Sequence, residues 1–314
     1  MSKGWVLALD FTDSTLEKGL IRDGFKIDKK YNETLPQLSK SLERAEGIVL
    51  RSRLSLDKSA LKKAINLKWI GRLGSGLENI DTKYAEENGI LCLSAAEGNM
   101  NALAEHTLGL LLNLSHNISR ANNEIRSALW RRQENIGWEL KGSTVGIIGY
   151  GPMGSAFGSI LKSMGVKIIS YDKYLKNYAP SHVKEVDLET LQDESEIISI
   201  HLPLTKETVN FVDKNFIQRC KRLRILINTS RGKILNTADT FNSLKEKRFQ
   251  ALGLDVLDLE EKSLELQESI LKQKKDFIDH PQVLITPHIG GWSKQSFPRM
   301  GKILLNKIRE IYNL

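Results

Sequence analysis

The feature that most constrains this chain is a glycine-rich segment near its middle. An apolar run, residues 145–148, leads into Gly149-x-Gly151-x-x-Gly154. In a dinucleotide site the first glycine allows a tight turn, the second lets the backbone approach a pyrophosphate, and the third lets the next helix pack closely on the strand. Asp172 ends the following β-rich run, where an acidic residue can bind a ribose hydroxyl. This context favours a nucleotide site over a purely structural glycine turn.

Short β-rich runs alternate with amphipathic helical runs in the first third of the chain. Strands are expected at residues 5–11, 47–51, 68–73 and 90–93, and helices at 15–23, 35–45, 57–65 and 81–88. Such alternation is typical of a parallel α/β unit. A long helix without proline, predicted over residues 99–121, then bridges to the glycine-rich unit.

The second unit repeats the alternation and predicts a doubly wound sheet. Its six strands are expected at residues 145–148, 167–171, 196–201, 223–228, 251–256 and 283–286. A Lys- and Glu-rich segment, 262–275, is predicted as an exposed helix, and helical residues 302–312 should pack back on one of the two units.

Composition narrows the class of protein. The 314 residues suffice for two domains, and no apolar run approaches the roughly 20 residues needed to cross a bilayer. The first residues lead straight into a strand, so we expect no signal peptide and a cytoplasmic location. Cys92 and Cys220 lie beside or within apolar segments, so we interpret them as packing residues and expect no metal site.

The formal net charge of +8 raises the question of nucleic acid. The lysines are interleaved with Glu and Asp, which favours a solvated surface, and we see no nucleic-acid recognition motif. A positive field would also help to gather small anionic substrates and a dinucleotide. We therefore expect neither nucleic acid nor a membrane as a partner.

Three polar residues follow predicted strands of the second unit, at the edge where ligands bind in open α/β sheets. They are Arg231, Glu260 and His288. Separately, each is ordinary: a surface charge, a solvated carboxylate and a turn residue. Together, beside a nucleotide, they supply a fixed cation, a carboxylate and a group that titrates near neutral pH. The sequence therefore indicates an enzyme site.

Blocks along nearly the whole chain resemble the D-isomer-specific 2-hydroxyacid dehydrogenases, the family that contains D-3-phosphoglycerate dehydrogenase, glyoxylate and hydroxypyruvate reductases, formate dehydrogenase and D-lactate dehydrogenase. Besides the Gly149 motif, the blocks are Leu50-Arg51-Ser52-Arg53, Gly74-Ser75-Gly76-Leu77-Glu78-Asn79-Ile80-Asp81, Ala104-Glu105-His106, His201-Leu202-Pro203-Leu204-Thr205, Asn228-Thr229-Ser230-Arg231-Gly232, Asp255-Val256 and Thr286-Pro287-His288-Ile289-Gly290-Gly291. The resemblance implies two doubly wound α/β domains. A Rossmann NAD-binding domain, residues 99–290, is inserted into a flavodoxin-like substrate domain, residues 1–98 plus 291–314.

The resemblance implies a catalytic set of Arg231, Glu260 and His288. In such enzymes the arginine holds the substrate carboxylate and carbonyl oxygen, the histidine transfers a proton, and the glutamate stabilises the charged imidazole. The chemistry agrees, because hydride arriving at a 2-oxo carbon leaves negative charge on oxygen, which an imidazolium both stabilises and neutralises. A guanidinium fork suits the planar carboxylate.

The resemblance also implies binding residues. Asp255 is expected to hold the nicotinamide carboxamide, and the backbone of Ser75 and Gly76 the substrate carboxylate. Arg51 or Arg53 is expected to bind the distal group of the substrate; the alternative is that these arginines only form surface ion pairs. The cofactor set is Gly149, Tyr150, Gly151, Pro152, Met153, Gly154, Asp172, His201, Pro203, Thr208, Thr229, Arg231, Asp255, His288 and Gly290, and the substrate set is Arg51, Arg53, Ser75, Gly76, Arg231 and His288.

Two positions depart from the family pattern. Pro152 and Met153 stand where Arg-Ile is common, so one possible phosphate contact is missing. Glu260 is followed by Glu261 instead of proline, which leaves Glu261 or Asp258 as alternative partners of His288.

We therefore predict an NAD-dependent oxidoreductase that interconverts a small 2-oxo acid and its D-2-hydroxy acid. Asp172 favours NAD because its carboxylate can accept from the ribose 2′-OH and would repel a 2′-phosphate, although Lys173 beside it counts slightly against this. Because Arg51 and Arg53 could bind a phosphate, the substrate pair favoured is D-3-phosphoglycerate and 3-phosphohydroxypyruvate, over glyoxylate or hydroxypyruvate.

An alternative from another functional class is a non-catalytic dinucleotide sensor, similar to transcriptional corepressors of related fold. A sensor needs the nucleotide pocket but no proton donor, so the retained Arg231, Glu260 and His288 argue against it. The family resemblance further implies a homodimer built through the nucleotide domains. We expect no C-terminal regulatory domain.

Overall fold

Two parallel β-sheets organise the chain, which is described by a computed structural model over residues 3–260 and 268–314. Unit 1 comprises residues 3–100 with 291–314, and unit 2 comprises residues 101–260 with 268–290. Each unit is a sheet with helices between its strands, as the predicted α/β fold class requires.

The elements follow one another in short segments. The strands are β1 (Trp5–Ala8), β2 (Lys26–Lys29), β3 (Ala45–Leu50), β4 (Trp69–Arg72), β5 (Leu91–Ser94), β6 (Thr144–Ile148), β7 (Lys167–Tyr171), β8 (Val183–Glu185), β9 (Ile197–Ile200), β10 (Ile225–Asn228), β11 (Ala251–Leu254) and β12 (Val283–Ile285). The α-helices are α1 (Ser14–Arg22), α2 (Ser39–Arg44), α3 (Lys58–Leu61), α4 (Thr82–Glu87), α5 (Ala96–Ser115), α6 (Ile118–Arg126), α7 (Pro152–Leu161), α8 (Leu188–Glu194), α9 (Lys214–Arg219), α10 (Thr237–Lys245), α11 (Glu268–Gln273), α12 (Lys275–Ile278) and α13 (Ser296–Ile311).

Unit 1 contains a five-stranded parallel sheet in the order β2-β1-β3-β4-β5. This is the flavodoxin-like order. Neighbouring residues of one strand enter different cores: Val6 packs with Leu16 and Leu304, whereas Leu7 packs with Leu42 and other residues on the opposite face. Helix α13 closes the first of these cores, so the C-terminal helix packs within unit 1.

Unit 2 contains a seven-stranded parallel sheet in the order β12-β11-β10-β9-β6-β7-β8. Read from β8, it has the strand order of a Rossmann fold with one further strand. Strand β6 lies between β9 and β7 and is buried along its whole length, with Ile147 and Ile148 in the cores of opposite faces. The strand order reverses beside β6, and this switch point is where open α/β sheets bind ligands.

Two strands were missed by the sequence analysis. Strand β2 is Lys-Ile-Asp-Lys, and β8 has three residues. Both lie at the edge of their sheets. An edge strand is paired on one side only and tolerates charged residues, so it can form without the apolar run that identifies a central strand.

The predicted helix over residues 99–121 is wrong at its end. Helix α5 stops at Ser115, and Asn117, with φ of 53°, turns the chain before α6 begins. The N–H group of Trp138 donates to the Ser115 carbonyl oxygen at 3.0 Å and so satisfies a helix-terminal acceptor. Asparagine tolerates the left-handed conformation, which lets the helix break without glycine or proline.

Other boundaries differ by a few residues. The predicted strand 5–11 ends at Ala8, the helix predicted over 57–65 spans only Lys58–Leu61, and the C-terminal helix begins at Ser296. The segment predicted as a helix over 35–45 opens as a 3₁₀ turn, Leu35–Leu38, and its last residue belongs to β3. Of the Lys- and Glu-rich segment, 262–267 lies outside the described residues. Cys220 is buried, whereas Cys92 is only half-buried.

Within the described residues, none of the helices combines the length and apolar character needed to span a membrane.

Candidate active site

The glycine-rich turn lies at the carboxyl end of β6. Gly149 has φ of 86°, a conformation that favours glycine, and a Cβ there would lie 2.5 Å from the His201 carbonyl oxygen. A Cβ on Gly154 would lie 2.0 Å from the Gly149 carbonyl oxygen. Pro152 starts α7 directly after Gly151. The positive N-terminal end of a ten-residue helix therefore follows the turn, as a pyrophosphate site requires.

Asp172 ties this turn to the loop after β7. Its Oδ2 accepts from the N–H group of Tyr150 at 2.9 Å, and its Oδ1 accepts from those of Tyr174 and Leu175, each at 3.0 Å. Burial by itself would raise the pKa of Asp172, but these backbone donors outweigh it and hold the pKa below its usual range. The group is therefore an anion at neutral pH.

Lys173 is paired with another acid. Its Nζ lies 2.5 Å from Oε2 of Glu207, which also accepts from the Tyr174 hydroxyl at 2.7 Å. The lysine charge therefore has a partner of its own and does not offset the charge of Asp172.

The side chain of Tyr150 points into the core and not toward the sheet edge. The residue is 5% exposed, and its ring lies 5.1 Å from that of Tyr178. Of the other residues in this turn, Pro152 is exposed and Met153 is half-buried.

His201 and Thr208 shape the loop that follows β9. His201 is buried, its Nε2 lies 2.9 Å from Ser199 Oγ, and burial lowers its pKa to about 3. The ring is therefore neutral at physiological pH. The Thr208 hydroxyl donates to the Pro203 carbonyl oxygen at 2.6 Å and accepts from the N–H group of Thr205 at 2.8 Å, which closes the loop into a turn.

Arg231 follows β10, and the backbone of the 257–260 loop passes close to the next residue, Gly232. A Cβ on Gly232 would lie 1.9 Å from the carbonyl carbon of Leu257, so only glycine allows the 257–260 loop to pass here. The Arg231 Nη1 donates to the Ser230 carbonyl oxygen at 2.7 Å. Thr229, which precedes it, is buried, with its hydroxyl 3.2 Å from that of Thr107.

Glu260 contacts His288. Its Oε2 lies 2.5 Å from His288 Nδ1, and its Oε1 accepts from the N–H group of Leu257 at 2.5 Å. The second contact fixes the carboxylate, which in turn orients the imidazole and leaves the Nε2 atom for chemistry. Asp258, an alternative partner, has a buried Oδ1 atom without a hydrogen bond to any described residue, and Glu261 lies outside the described residues.

Asp255 directs its carboxylate at the loop that carries His288. Oδ1 accepts from the N–H group of Ile289 at 2.9 Å, and Oδ2 accepts from that of Gly290 at 2.7 Å. Burial would raise the pKa of Asp255, but hydrogen bonds from His106, from Thr286 and from the backbone hold the pKa below its usual range. His106 lies in one of the blocks that resemble the family, but its sequence context predicted no role for it.

In unit 1 the two candidate arginines differ sharply. The Arg53 guanidinium donates to the carbonyl oxygens of Leu9, Lys30 and Glu33 at 2.6 to 3.2 Å, so its donors are already used by the protein. The guanidinium carbon of Arg51 lies 4.8 Å from the ring centre of Trp292 and 4.6 Å from that of Phe297. These two aromatic contacts could be found only from the folded chain.

The loops after β3 and β4 are joined by Asn79, whose side-chain amide donates to the carbonyl oxygens of Arg51 and Leu54, each at 2.9 Å. Ser75 and Gly76 lie half-buried in the second loop. Their backbone N–H groups make no hydrogen bond to other described residues. Free N–H groups at the end of a parallel strand are suited to an anion.

Among residues 3–260 and 268–314, no group of three or more His, Cys, Asp or Glu side chains lies close enough together to hold a metal ion.

Unit 2 thus has the features of a dinucleotide-binding α/β protein with an imidazole–carboxylate pair at the ligand edge of its sheet. Residues 108–290 match the sequence model described as "D-isomer specific 2-hydroxyacid dehydrogenase, NAD binding domain". The chain belongs to this family, which confirms the predicted family, fold class and NAD cofactor.

Relatives and solved structures agree with this family. The chain is 31% identical over 289 residues to D-3-phosphoglycerate dehydrogenase of Archaeoglobus fulgidus, covering 91% of this chain and 53% of the relative. It is 33% identical over 272 residues to hydroxypyruvate reductase of Thermotoga maritima, covering 87% and 86%. A D-lactate dehydrogenase structure from Aquifex aeolicus, complexed with NAD and lactic acid, has a TM-score of 0.82 at 25% identity and covers 98% of this chain and 95% of that one.

The chain spans about half the length of the D-3-phosphoglycerate dehydrogenases that it matches.

Proposed function

We propose that the protein is an NAD-dependent dehydrogenase that interconverts a small 2-oxo acid and its D-2-hydroxy acid. The contact between His288 and Glu260, at the same sheet edge as the glycine-rich turn, carries this proposal. A dinucleotide sensor would require the turn but not a proton donor held by a carboxylate.

When bound, the cofactor supplies a hydride as NADH, or accepts one as NAD, at the substrate carbon that carries the reacting oxygen. In the reductive direction negative charge develops on that oxygen, and His288 donates a proton to it from Nε2. Glu260 stabilises the protonated ring through its contact with Nδ1, which leaves Nε2 for the substrate oxygen. Arg231 binds the substrate carboxylate with its planar fork and orients the reacting carbon.

Asp172 is the proposed determinant of NAD over NADP. Its carboxylate is already anchored by three backbone N–H groups, and it is ionised at neutral pH. A fixed negative charge accepts from a ribose 2′-OH and repels a 2′-phosphate. Because Lys173 is paired with Glu207, we do not expect this lysine to attract the 2′-phosphate.

For the substrate, we propose an acid with a second anionic group, with 3-phosphohydroxypyruvate favoured and hydroxypyruvate or glyoxylate as the alternative. Arg51 is better suited than Arg53 to bind the distal group, because its guanidinium donates no hydrogen bond to the described residues. Trp292 and Phe297 hold it by cation–π contact without using its N–H donors. The relatives named above include both a phosphoglycerate and a hydroxypyruvate enzyme.

The test is a panel of 2-oxo acids with NADH, including 3-phosphohydroxypyruvate, hydroxypyruvate and glyoxylate, followed by NADH absorbance. Reduction of any of them supports the enzyme over the sensor, and the highest kcat/KM selects the substrate. If none of these acids is reduced while NADH still binds, the proposed function becomes that of a non-catalytic dinucleotide sensor.

We also propose a homodimer formed through unit 2. Helix α6 and the segment after it expose large apolar side chains, which are Ile118, Ile125, Leu129, Trp130 and Ile136. Trp130 is 79% exposed and Ile136 is 70% exposed. Several such side chains close together in sequence are typical of a protein–protein interface.

A further inference from the structure

The loop that carries His288 has a strained backbone. His288 has φ of 54°, in the left-handed region that residues other than glycine adopt in only a few per cent of cases, although asparagine, aspartate and histidine do so more often than the rest. Such a conformation persists only where the surrounding structure holds it. Its N–H group donates to the Asp255 carbonyl oxygen at 2.8 Å, and the next two N–H groups donate to the Asp255 carboxylate. Asp255 therefore accepts from three consecutive N–H groups of the loop.

The Asp255 carboxylate is in turn held by side chains from two other elements. Thr286 Oγ1 donates to Asp255 Oδ1 at 2.6 Å. His106, on α5, places Nε2 at 2.9 Å from Thr286 Oγ1 and at 3.4 Å from Asp255 Oδ1. Asp255 is 1% exposed, so an ionised carboxylate here depends on these donors.

The hydroxyl of Thr286 determines the direction of this chain of hydrogen bonds. Its one hydrogen is directed at Asp255, so the oxygen can only accept from His106. The Nε2 atom of His106 must therefore carry a proton, whether the ring is neutral or charged. A Cβ on Gly290 would lie 2.8 Å from Asp255 Oδ2 and 3.2 Å from His106 Cδ2, so glycine is needed for the loop to pack against this pair.

We propose that His106 is a positioning residue for proton transfer, which acts through Thr286 and Asp255 to hold the strained His288 loop. The proposal rests on the proposed dehydrogenase function, because it is His288 that this network positions. His106 has no part in the proton transfer itself.

The test compares His106→Phe, which removes the donor but keeps a ring, with His106→Gln, whose amide can donate in place of Nε2. His116→Phe is the matched control, since His116 is exposed just after α5. We expect His106→Phe to lower kcat by roughly tenfold, since the loss of a buried hydrogen bond, here the one to Thr286, has an effect of this size. The Kd for NADH, from its fluorescence, should stay within about threefold, because the glycine-rich turn is untouched. His106→Gln should recover most of kcat.

A double-variant cycle sharpens the test. Thr286→Val removes the middle of the chain, so adding His106→Phe to it should lower kcat little further, because the two residues act in series. Two effects on kcat that multiply would overturn the proposal. An equal loss in His106→Phe and His106→Gln would also overturn it, since the donor would then be irrelevant.

A second readout does not depend on activity. Amide hydrogen exchange over residues 288–290 should accelerate in His106→Phe and remain slow in His106→Gln, with the peptide covering β6 unchanged in both. If the wild-type protein reduces no 2-oxo acid, the proposed function fails, but this exchange result still tests the network. Unchanged exchange and unchanged kcat in His106→Phe would refute the positioning role.

Discussion

Nδ1 of His288 lies 2.5 Å from Oε2 of Glu260, and the other oxygen of the same carboxylate accepts from the N–H group of Leu257. The carboxylate therefore cannot turn away from the ring without losing a backbone hydrogen bond. This relationship gives His288 one nitrogen bound to an anion and one nitrogen for the substrate, which is the arrangement that an acid–base catalyst requires.

Removal of the imidazole tests the proton donor directly. We expect His288→Ala to lower kcat for 2-oxo acid reduction by roughly 10² to 10⁴, the usual contribution of a positioned acid–base group. NADH binding, measured by fluorescence titration, should be almost unchanged. Normal turnover in this variant would mean that another group transfers the proton.

Glu260→Gln tests the partner of His288. The amide keeps the size of the side chain but removes the anion that contacts Nδ1, so kcat for 2-oxo acid reduction should fall, by less than in His288→Ala. The measurement is kcat for both variants and the wild type under the same conditions. An unchanged kcat in Glu260→Gln would shift the partner role to Asp258 or Glu261.

Asp172→Ala tests cofactor choice. The wild-type protein should prefer NADH over NADPH by at least about tenfold in kcat/KM, and the variant should lose most of this preference. Folding lowers the pKa of Asp172. The stability that its ionisation gives to the folded protein is therefore fully present above the usual carboxylate pKa. It is lost only when the pH falls through the lower pKa of the folded state. Asp172 of the wild type therefore keeps its full charge throughout assays at pH 6 to 8, whereas the variant has no charge at this position. Equal use of both cofactors by the wild type would contradict the proposal.

The two arginines of unit 1 should respond differently. Arg51→Met should raise KM for 3-phosphohydroxypyruvate by roughly tenfold or more, the size expected for a lost ionic hydrogen bond, and change KM for glyoxylate little, because glyoxylate has no distal group. Arg53→Met should lower the melting temperature, since it leaves three carbonyl oxygens without their donor. An equal loss for both substrates in Arg51→Met would argue against a distal anion site.

Light scattering tests the assembly. The wild type should have twice the 35.5 kDa mass of one chain at micromolar concentration. In the double variant with Ile125→Asp and Trp130→Ser, the measured mass should fall to that of one chain. Ile65→Asp is the control, because Ile65 is 77% exposed in unit 1, away from this surface in sequence. A wild-type protein of monomer mass would rule out the dimer.

The sequence by itself predicted the family, the alternating α/β order and the glycine-rich turn. These depend on local patterns: apolar runs, helical spacing and glycines at positions where a Cβ would collide with nearby backbone. Strands β2 and β8 could not be predicted from such local patterns, because a strand paired on one side only needs no apolar run.

Which side chains meet was decided only by the tertiary structure. Arg51 and Arg53 are two residues apart and look equivalent in sequence, yet one packs against Trp292 and Phe297 and the other is used by carbonyl oxygens. His106 contacts Asp255 across about 150 residues of chain, and Glu260 contacts His288 across 28 residues. Hydrogen bonds and ring contacts act over a few ångströms, so they depend on how distant loops are brought together, which no local pattern records.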